Sequence, residues 1–457
     1  MPSVHPLHKE ESVRQEPHAF RTAGGRTSLC AILLGTNIIV CHLEFPVMTN
    51  PIRMPPSGHV LFINRVFPPD PGASGQHLFE LCSRLIDMGW LVTVLTTGCV
   101  KRVPRLNPHG LAIRYVRGLR FRRKPIWYRA LSYLSLYPAF LWGFLKIGQL
   151  DVIVVMTDPP LFLSVAVLYA KWKGIPVVHW SQDLYPELAF AVGVLKRNSI
   201  LGRALTRIRD KAIRRCTVIV VIGRCMAAQL AKRTPCAIRI IPNWADGDAI
   251  VPLPHDANPF RAKLLAGVYE QIVMYSGNFG IAHPFGAILD AMTELEFRRP
   301  KVRFAMIGDG PRLADLQSEV AERGLGNVIF LPPQPYSDLA ATLGAADVQL
   351  ACMETEMLGL VVPSKVYGIL AAGRPCIFIG PAESEAALLV DESSAGEVLP
   401  PGTEHQLGAR LRAWLDNTEA RDKTGRNARK AAEKASLSNA ADQFAAVLRY
   451  VTNLDKH

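Results

Sequence analysis

The sequence predicts an α/β protein built from two doubly wound, mainly parallel sheets that face each other across a cleft. Three observations carry that expectation. Short apolar runs alternate with helical periodicity from residue 59 almost to the end of the chain. The alternation lapses over 245–268, where Pro252, Pro254 and Pro259 lie in a stretch with no period until its end, and then restarts. Glycine turns follow several strands: GASG at 72–75, GNFG at 277–280 and GDG at 308–310. In open α/β sheets ligands sit beyond the carboxyl ends of the strands, so these turns belong around one cleft.

The first domain is read over 58–244. Residues 59–66 (HVLFINRV) make a buried strand, and the loop FPPDPGASGQ leads into a helix with Leu78, Leu81, Cys82, Leu85 and Ile86 on one face and Gly89 as its stop. Strand 90–96 completes a β–loop–α–β unit, which implies parallel strands and a right-handed crossover. Gly72, Ser74 and Gly75 open that helix, where a ligand can approach the backbone. The run is not G-x-G-x-x-G and no acid follows the second strand suitably, so a dinucleotide site is disfavoured. Strands at 151–157, 176–180, 217–222 and 238–242 and helices at 199–215 and 223–233 continue the scheme. Residues 245–268 are the linker. The second domain, 269–436, has strands at 271–277, 303–308, 327–332, 348–352, 376–380 and 395–400 and a helix starting near His283. Within 437–457 a last helix, with Ala441, Phe444, Ala445 and Leu448 in register, is expected to cross back to the first domain. Residues 1–57 are read as a disordered extension: 1–28 are polar, and the apolar run 29–41 is too short to span a bilayer and is followed by no clear cleavage site. Met48 and Met54 precede the first strand, and the fold is expected to begin at or after them.

Charge is unevenly spread. The chain carries 52 Lys+Arg against 39 Asp+Glu, a formal charge of +13. No acid occurs between Asp87 and Asp151, and residues 101–150 hold 11 of the basic side chains. That segment is interleaved with Tyr115, Phe121, Trp127, Tyr128, Tyr133 and Tyr137 and runs into LSYLSLYPAFLWGFLKIG, where Pro138 argues against one straight buried helix. Arginine mixed with aromatics suits a membrane surface reached through 101–145. A basic loop followed by a core helix, or a membrane span, would share the composition. No RRM, KH or zinc-knuckle pattern supports a nucleic-acid partner. The nine scattered cysteines, without C-x-x-C, fit neither a disulfide framework nor a zinc site.

The stretch Gly359–Pro375 (GLVVPSKVYGILAAGRP) is where phosphate chemistry is expected. Ser364 is a candidate N-cap, Lys365 stands in the first turn, and Gly373 ends the helix. Such a terminus favours an anion by roughly 0.3–1 kcal/mol. The same pattern also serves any capped βα unit. Lys365 beside the unpaired N–H groups of that terminus is read as a diphosphate cradle. Asp183, His283, Asp309 and the Pro363–Lys365 turn are expected around the same cleft.

In order and spacing, FPPDPGASG with LIDMGWLVTVLTTG, WSQDLYPE, IPNWAD, YSGNFGIAH, MIGDGP and GLVVPSKVYGILAAGRPCIFIG followed by Ser384-Glu385 resemble the family 4 glycosyltransferases of the GT-B fold. The likeness runs from about 59 to 452 and is greatest to the bacterial branch that builds capsule, O-antigen and colanic-acid-type polysaccharides. It implies two Rossmann-like domains and a metal- and cofactor-independent transfer of sugar from a UDP- or GDP-sugar with retention. The acceptor would be a polyprenyl-diphosphate-linked glycan at the cytoplasmic face of the membrane, to which the protein is peripheral. It further implies donor contacts from Gly277, Asn278, Gly280, Gly308, Asp309, Gly310, Gly359, Leu360, Pro363, Ser364 and Lys365. Many relatives carry a Glu where this chain has Leu358 and another where it has Gly368; Glu356 (or Glu354) and Glu385 are the expected substitutes. His283 stands in for a Lys, and an Arg is missing near Ile281. The departing diphosphate would then be stabilised by Lys365, His283 and backbone N–H groups around Gly277, Gly280 and Leu360. Asp183, or less so Glu187, would orient or deprotonate the acceptor hydroxyl. Two other readings of the same fold are a nucleotide-sugar 2-epimerase and a non-catalytic nucleotide-sugar or lipid-binding scaffold.

Overall fold

A computed structural model of the chain describes residues 30–34, 37–41, 57–70, 72–98, 110–118, 126–280 and 283–454. The chain divides into two units, Met1–Met54 and Pro55–His457. In the first, β1 (Cys30–Leu34) and β2 (Asn37–Cys41) pair antiparallel. The sequence reading has no strands there; both runs are aliphatic and flank Gly35-Thr36, the composition of a hairpin. The remainder of the expected extension lies outside the described residues.

The second unit holds two sheets. Strands β3 (His59–Ile63), β4 (Leu91–Thr97), β5 (Leu111–Val116), β6 (Val152–Met156), β7 (Val177–Ser181), β8 (Val218–Val221) and β9 (Ala237–Ile240) form a parallel sheet in the order β5-β4-β3-β6-β7-β8-β9. Strands β10 (Gln271–Ser276), β11 (Val302–Ile307), β12 (Val328–Leu331), β13 (Val348–Cys352), β14 (Cys376–Ile379) and β15 (Gly396–Leu399) form another, ordered β12-β11-β10-β13-β14-β15. The central strands are near-continuous Val, Ile, Leu and Met because both faces are covered. In the first half the helices are α1 (Ala73–Asp87), α2 (Ile126–Leu145), α3 (Leu163–Lys173), α4 (Glu187–Ala191), α5 (Ile200–Ile213) and α6 (Arg224–Ala231). In the second they are α7 (Pro259–Leu265), α8 (Gly286–Arg298), α9 (Leu313–Glu322), α10 (Leu339–Gly344), α11 (Lys365–Ala371), α12 (Glu385–Glu392), α13 (Leu407–Asp416), α14 (Thr418–Lys434) and α15 (Leu437–Leu454). Each sheet reverses its strand order once, between β3 and β6 and between β10 and β13. The loops at these two points diverge and leave a crevice at the carboxyl ends.

Two elements differ from the sequence reading. Strand β5 lies inside the basic segment, where Arg114 masks the alternation of an edge strand that pairs with β4. Helix α2 runs unbroken through Pro138. Leu136, Phe140 and Phe144 are buried against the sheet, and that packing holds the helix together past the missing N–H. The basic residues at 101–109 and 119–125 lie outside the described residues.

Helix α15 belongs to the core of the first domain although it ends the chain. Ala441, Phe444, Ala445 and Leu448 are buried with Val60, Phe62 and Trp180, and the Phe444 ring centroid lies 5.0 Å from that of Trp180. The closing helix therefore ties the two sheets into one unit. Phe444→Ala should destabilise the protein by about 3–5 kcal/mol through the cavity it leaves. A denaturant midpoint unchanged from wild type would show that α15 does not carry this packing.

Candidate functional site

Between the two sheets lies a cleft of about 2320 Å³, lined from both sides. From the second sheet it takes the loop after β10 (Ser276, Gly277, Asn278, Gly280, His283), the turn after β11 (Asp309, Gly310) and the segment Val361–Lys365 before α11, with Gly368 inside that helix. These loops flank the point where the strand order of the second sheet reverses.

Lys365 is the cation at that point. Its Nζ donates to the Tyr275 hydroxyl and lies 3.9 Å from the centroid of the Tyr275 ring. The Tyr275 hydroxyl in turn donates to the Asn278 carbonyl at 2.9 Å, so one aromatic side chain positions both the ammonium and the glycine loop. No described carboxylate pairs with Lys365, and burial pulls its pKa down to about 8. An ammonium partly withdrawn from water without a counter-ion is unfavourable, and an anion entering the cleft would relieve that. Ser364, expected as an N-cap, makes no side-chain cap bond, and α11 is only 7 residues long. Anion affinity therefore rests on Lys365 and nearby N–H groups more than on a helix dipole.

His283 lies across the loop from Lys365. Its Nδ1 is 2.8 Å from the Cys352 carbonyl oxygen, which can only accept, so Nδ1 carries the hydrogen and Nε2 keeps a lone pair. Burial, aided by the Lys365 charge, pulls this imidazole down to about 4, and it is neutral near pH 7.

The glycine turns are built for close backbone approach. A Cβ on Gly308 (φ +148°) would fall 1.8 Å from the Gly277 oxygen, and one on Gly277 (φ +148°) would fall 3.1 Å from Lys365 Cε. Phe279 N–H donates to the Asp309 oxygen, which locks the two turns together. The Gly277 N–H is spent on Ile307 and the Leu360 N–H on Met357, so neither is available to a ligand. Among the described residues, the N–H groups of Asn278, Gly280, Ser364 and Lys365 find no acceptor. Asp309 lines the cleft, and one of its carboxylate oxygens accepts the Gly310 N–H at 2.8 Å.

Other expected residues sit away from the cleft. Glu187 is buried against Arg209 at 2.5 and 2.9 Å and faces Arg233 at 3.3 Å, the setting of a structural ion pair. Glu385, expected near the ribose, reaches across to α6, where it accepts the Arg224 N–H at 2.5 Å and pairs with its guanidinium. Gly359 (φ +73°) packs on Gln229 and Cys225 of α6, and the Leu360 oxygen accepts the Leu184 N–H at 2.9 Å. These three form a seam between domains rather than a donor pocket. Glu356 is exposed, and neither it nor Glu354 lines the cleft. Gly75 is packed on Val66, and Ser74 does not line the cleft, whereas Gly72 does. Asp183 lies in a small adjoining cavity that shares Leu161 and Tyr185 with the cleft; burial, then Asp158, raises its carboxyl to about 6.

The wall from the first domain contains residues the sequence did not single out. Gln76, His77 and Glu80 project from α1; Trp244 Nε1 donates to Glu80 at 2.7 Å, and the Tyr336 hydroxyl, from the second domain, reaches Glu80 at 3.1 Å and Asp246 at 3.2 Å. The signal was one helical face, i, i+1 and i+4, directly after the glycine turn. Among the described residues no group of three or more His, Cys, Asp or Glu could hold a metal ion.

Known proteins share both the sequence pattern and this architecture. Residues 74–248 match the model of Glycosyltransferase Family 4, and 256–431 match that of Glycosyl transferases group 1. The chain is 30% identical over 253 residues to the glycosyltransferase WbjE of Pseudomonas aeruginosa, covering 55% of this chain and 62% of that protein. It is 26% identical over 247 residues to WcaI of Escherichia coli (strain K12), a colanic acid biosynthesis glycosyl transferase, covering 52% and 60%. The matches thus span about three-fifths of the length of these two relatives. Among solved structures, sucrose-phosphate synthase from Thermosynechococcus elongatus superposes with a TM-score of 0.70 at 17% identity, over 87% of this chain and 100% of that one. WaaG, a glycosyltransferase involved in lipopolysaccharide biosynthesis, gives 0.65 at 17% identity, over 85% and 99%. Anabaena HepE in complex with UDP and glucose gives 0.65 at 15% identity, over 86% and 99%. Two facing parallel sheets, a ligand crevice at their reversal points and both family models in chain order lead to one conclusion: this chain belongs to the family 4 glycosyltransferases, with the GT-B fold.

Proposed function

We propose that the protein is a retaining glycosyltransferase of cell-surface polysaccharide assembly. It moves a sugar from a UDP- or GDP-sugar to a lipid-linked glycan at the cytoplasmic face of the membrane. The observation that carries this is the half-buried Lys365 ammonium, with no described carboxylate on it, beside open backbone N–H groups at the strand reversal and facing a second wall that can hold an acceptor. The solved complexes of HepE with UDP, UDP-glucose, and UDP and glucose support a nucleotide-sugar in a cleft of this kind.

The diphosphate lies on Lys365 and the N–H groups of Asn278, Gly280, Ser364 and Lys365, which are oriented before reaction and need no reorganisation as charge develops. The acceptor oxygen bonds to the anomeric carbon on the face from which the nucleoside diphosphate leaves with its electron pair. The acceptor proton passes to the departing phosphate oxygen. His283, neutral with an acceptor Nε2, suits a sugar hydroxyl better than a phosphate oxygen. Asp183 acts from behind Tyr185 as a positioning group. The epimerase reading requires several acids around the sugar; the side of the cleft nearest Lys365 shows Asp309 alone, occupied by its own turn.

The membrane face is α2. Leu131, Leu134, Trp142 and Leu145 are exposed on it, and Lys146 Nζ lies 4.7 Å from the centroid of the Trp142 ring, an aromatic–cation pair suited to a bilayer interface. No described helix is long and apolar enough to cross a membrane.

Three outcomes test this reading. With UDP- and GDP-sugar panels and polyprenyl-diphosphate glycans, acceptor-dependent nucleotide release is expected. Lys365→Ala should lower it by about 10²–10³-fold, whereas Asp183→Asn should cost about tenfold or less; a Lys365→Ala enzyme with full turnover would remove the phosphate assignment. Lys365 must be protonated to bind the anion, and its pKa is lowered to about 8, so kcat/KM for the donor should fall as pH rises through about 8. Lys365→Arg should remove that alkaline limb, and a flat profile to pH 10 in the wild type would contradict the assignment. Finally, the protein should sediment with anionic phosphatidylglycerol vesicles in low salt and be released as salt screens the attraction. Equal indifference to anionic and neutral vesicles would rule out α2 as a membrane face.

A further inference from the structure

The two domains meet on both flanks of the cleft, and the two meetings differ in kind. After β14, Glu385 pairs with the Arg224 guanidinium of α6, anion against cation. After β12, at the other side of the same sheet, the Tyr336 hydroxyl stands between two acids. Glu80 Oε1 of α1 lies 3.1 Å from it and Asp246 Oδ2 of the linker 3.2 Å. All three side chains line the cleft. A phenol carries one hydrogen, so it can serve only one of these oxygens. With both carboxylates ionised, the remaining contact sets two oxygens against each other with no hydrogen between them. Asp246 accepts the Asp248 and Ala249 N–H groups at 3.1 and 2.9 Å through its other oxygen. Glu80 accepts Gln76 Nε2 at 2.8 Å and Trp244 Nε1 at 2.7 Å, and its side chain is only 11% exposed. Burial, joined by the Asp246 charge, raises the Glu80 carboxyl above the ordinary range against the opposing pull of its hydrogen bonds. His77 Nδ1 lies 4.0 Å from Glu80 Oε2; burial pulls this imidazole down to about 4, and above that it is neutral. One proton on Glu80 completes the chain: Glu80 donates to the Tyr336 oxygen, and Tyr336 donates to Asp246.

We propose that Tyr336 is a proton-operated clasp between the domains, closed when Glu80 holds a proton and loosened when Glu80 is ionised. The clasp is independent of which ligand the cleft takes. Because the clasped form is the one that holds the proton, its stability is fully present at acid pH and is lost as pH rises through the Glu80 pKa of that form. The Arg224–Glu385 flank keeps its charges over the same range, so the cleft opens from the Tyr336 flank while α15 holds the halves together. One hydrogen bond gained or lost with the proton changes the ratio of closed to open forms about fivefold.

The test follows the full chain, without ligand and at constant ionic strength, by small-angle X-ray scattering from about pH 4.5 to about pH 8. The wild-type radius of gyration should rise with pH along a single-proton curve. Glu80→Gln, whose amide donates to the Tyr336 oxygen at every pH, should stay compact throughout. Tyr336→Phe, which has no hydroxyl to bridge the acids, should be expanded throughout. Tyr336 is 44% exposed and the glutamine is isosteric, so both variants should keep the far-UV circular dichroism of wild type. A wild type of constant size, a Glu80→Gln variant that still expands with pH, or a Tyr336→Phe variant that still titrates overturns the clasp. Each of these results leaves the donor-site reading standing, since no step of the test involves a nucleotide.

Discussion

A half-buried lysine ammonium at the cleft wall, with no described carboxylate beside it, constrains the loops of the second domain. Lys365 is fixed by the Tyr275 hydroxyl and ring, and Tyr275 is itself a fully buried residue of β10. In the proposed reading an anion completes the arrangement and offsets the cost of that charge. Everything nearby follows from that need. The turns at Gly277 and Gly308 lie too close for side chains, the Asn278 and Gly280 amides find no acceptor among the described residues, and burial with the Lys365 charge keeps His283 neutral against the opposing effect of its bond to Cys352. Parallel strands whose order reverses between β10 and β13 supply the opening.

The domains are joined by polar contacts at the cleft edge and by apolar packing behind it. Glu385 caps α6 of the other domain and Leu360 bonds to Leu184, while Tyr336 bridges to Glu80 and Asp246. Helix α15, covalently part of the second half, is embedded in the core of the first. A hinge built this way can move through the exchange of a few hydrogen bonds while the helix keeps the two halves together, which suits a site that closes over a donor.

Much of the architecture was readable because it is written locally. Strand–helix alternation, the glycine turns and the break at 245–268 each occupy a few adjacent residues, and Lys365 stands out by its place after Pro363 and Ser364. What could not be read depends on partners far away in sequence. Glu187 and Glu385 have the chemistry expected of a site, but Arg209 and Arg224 engage them. Tyr275 looks like one more apolar strand residue until Lys365 is placed on it. Strand β5 was hidden because an edge strand needs apolar residues on one side only, and Arg114 occupies the other. The first-domain lining of the cleft draws on Leu134 of α2, Leu188 of α4 and Leu201 of α5, and no short window of sequence contains all three.

The most direct measurement is the proton uptake that accompanies UDP binding near pH 8, obtained by calorimetry in buffers of different ionisation enthalpy. With Lys365 held near 8 in the empty protein, UDP should draw in about half a proton per site, and Lys365→Arg should abolish the uptake while retaining binding. Tight UDP binding with no proton uptake in the wild type, or the same uptake in the arginine variant, would contradict a nucleoside diphosphate seated on Lys365.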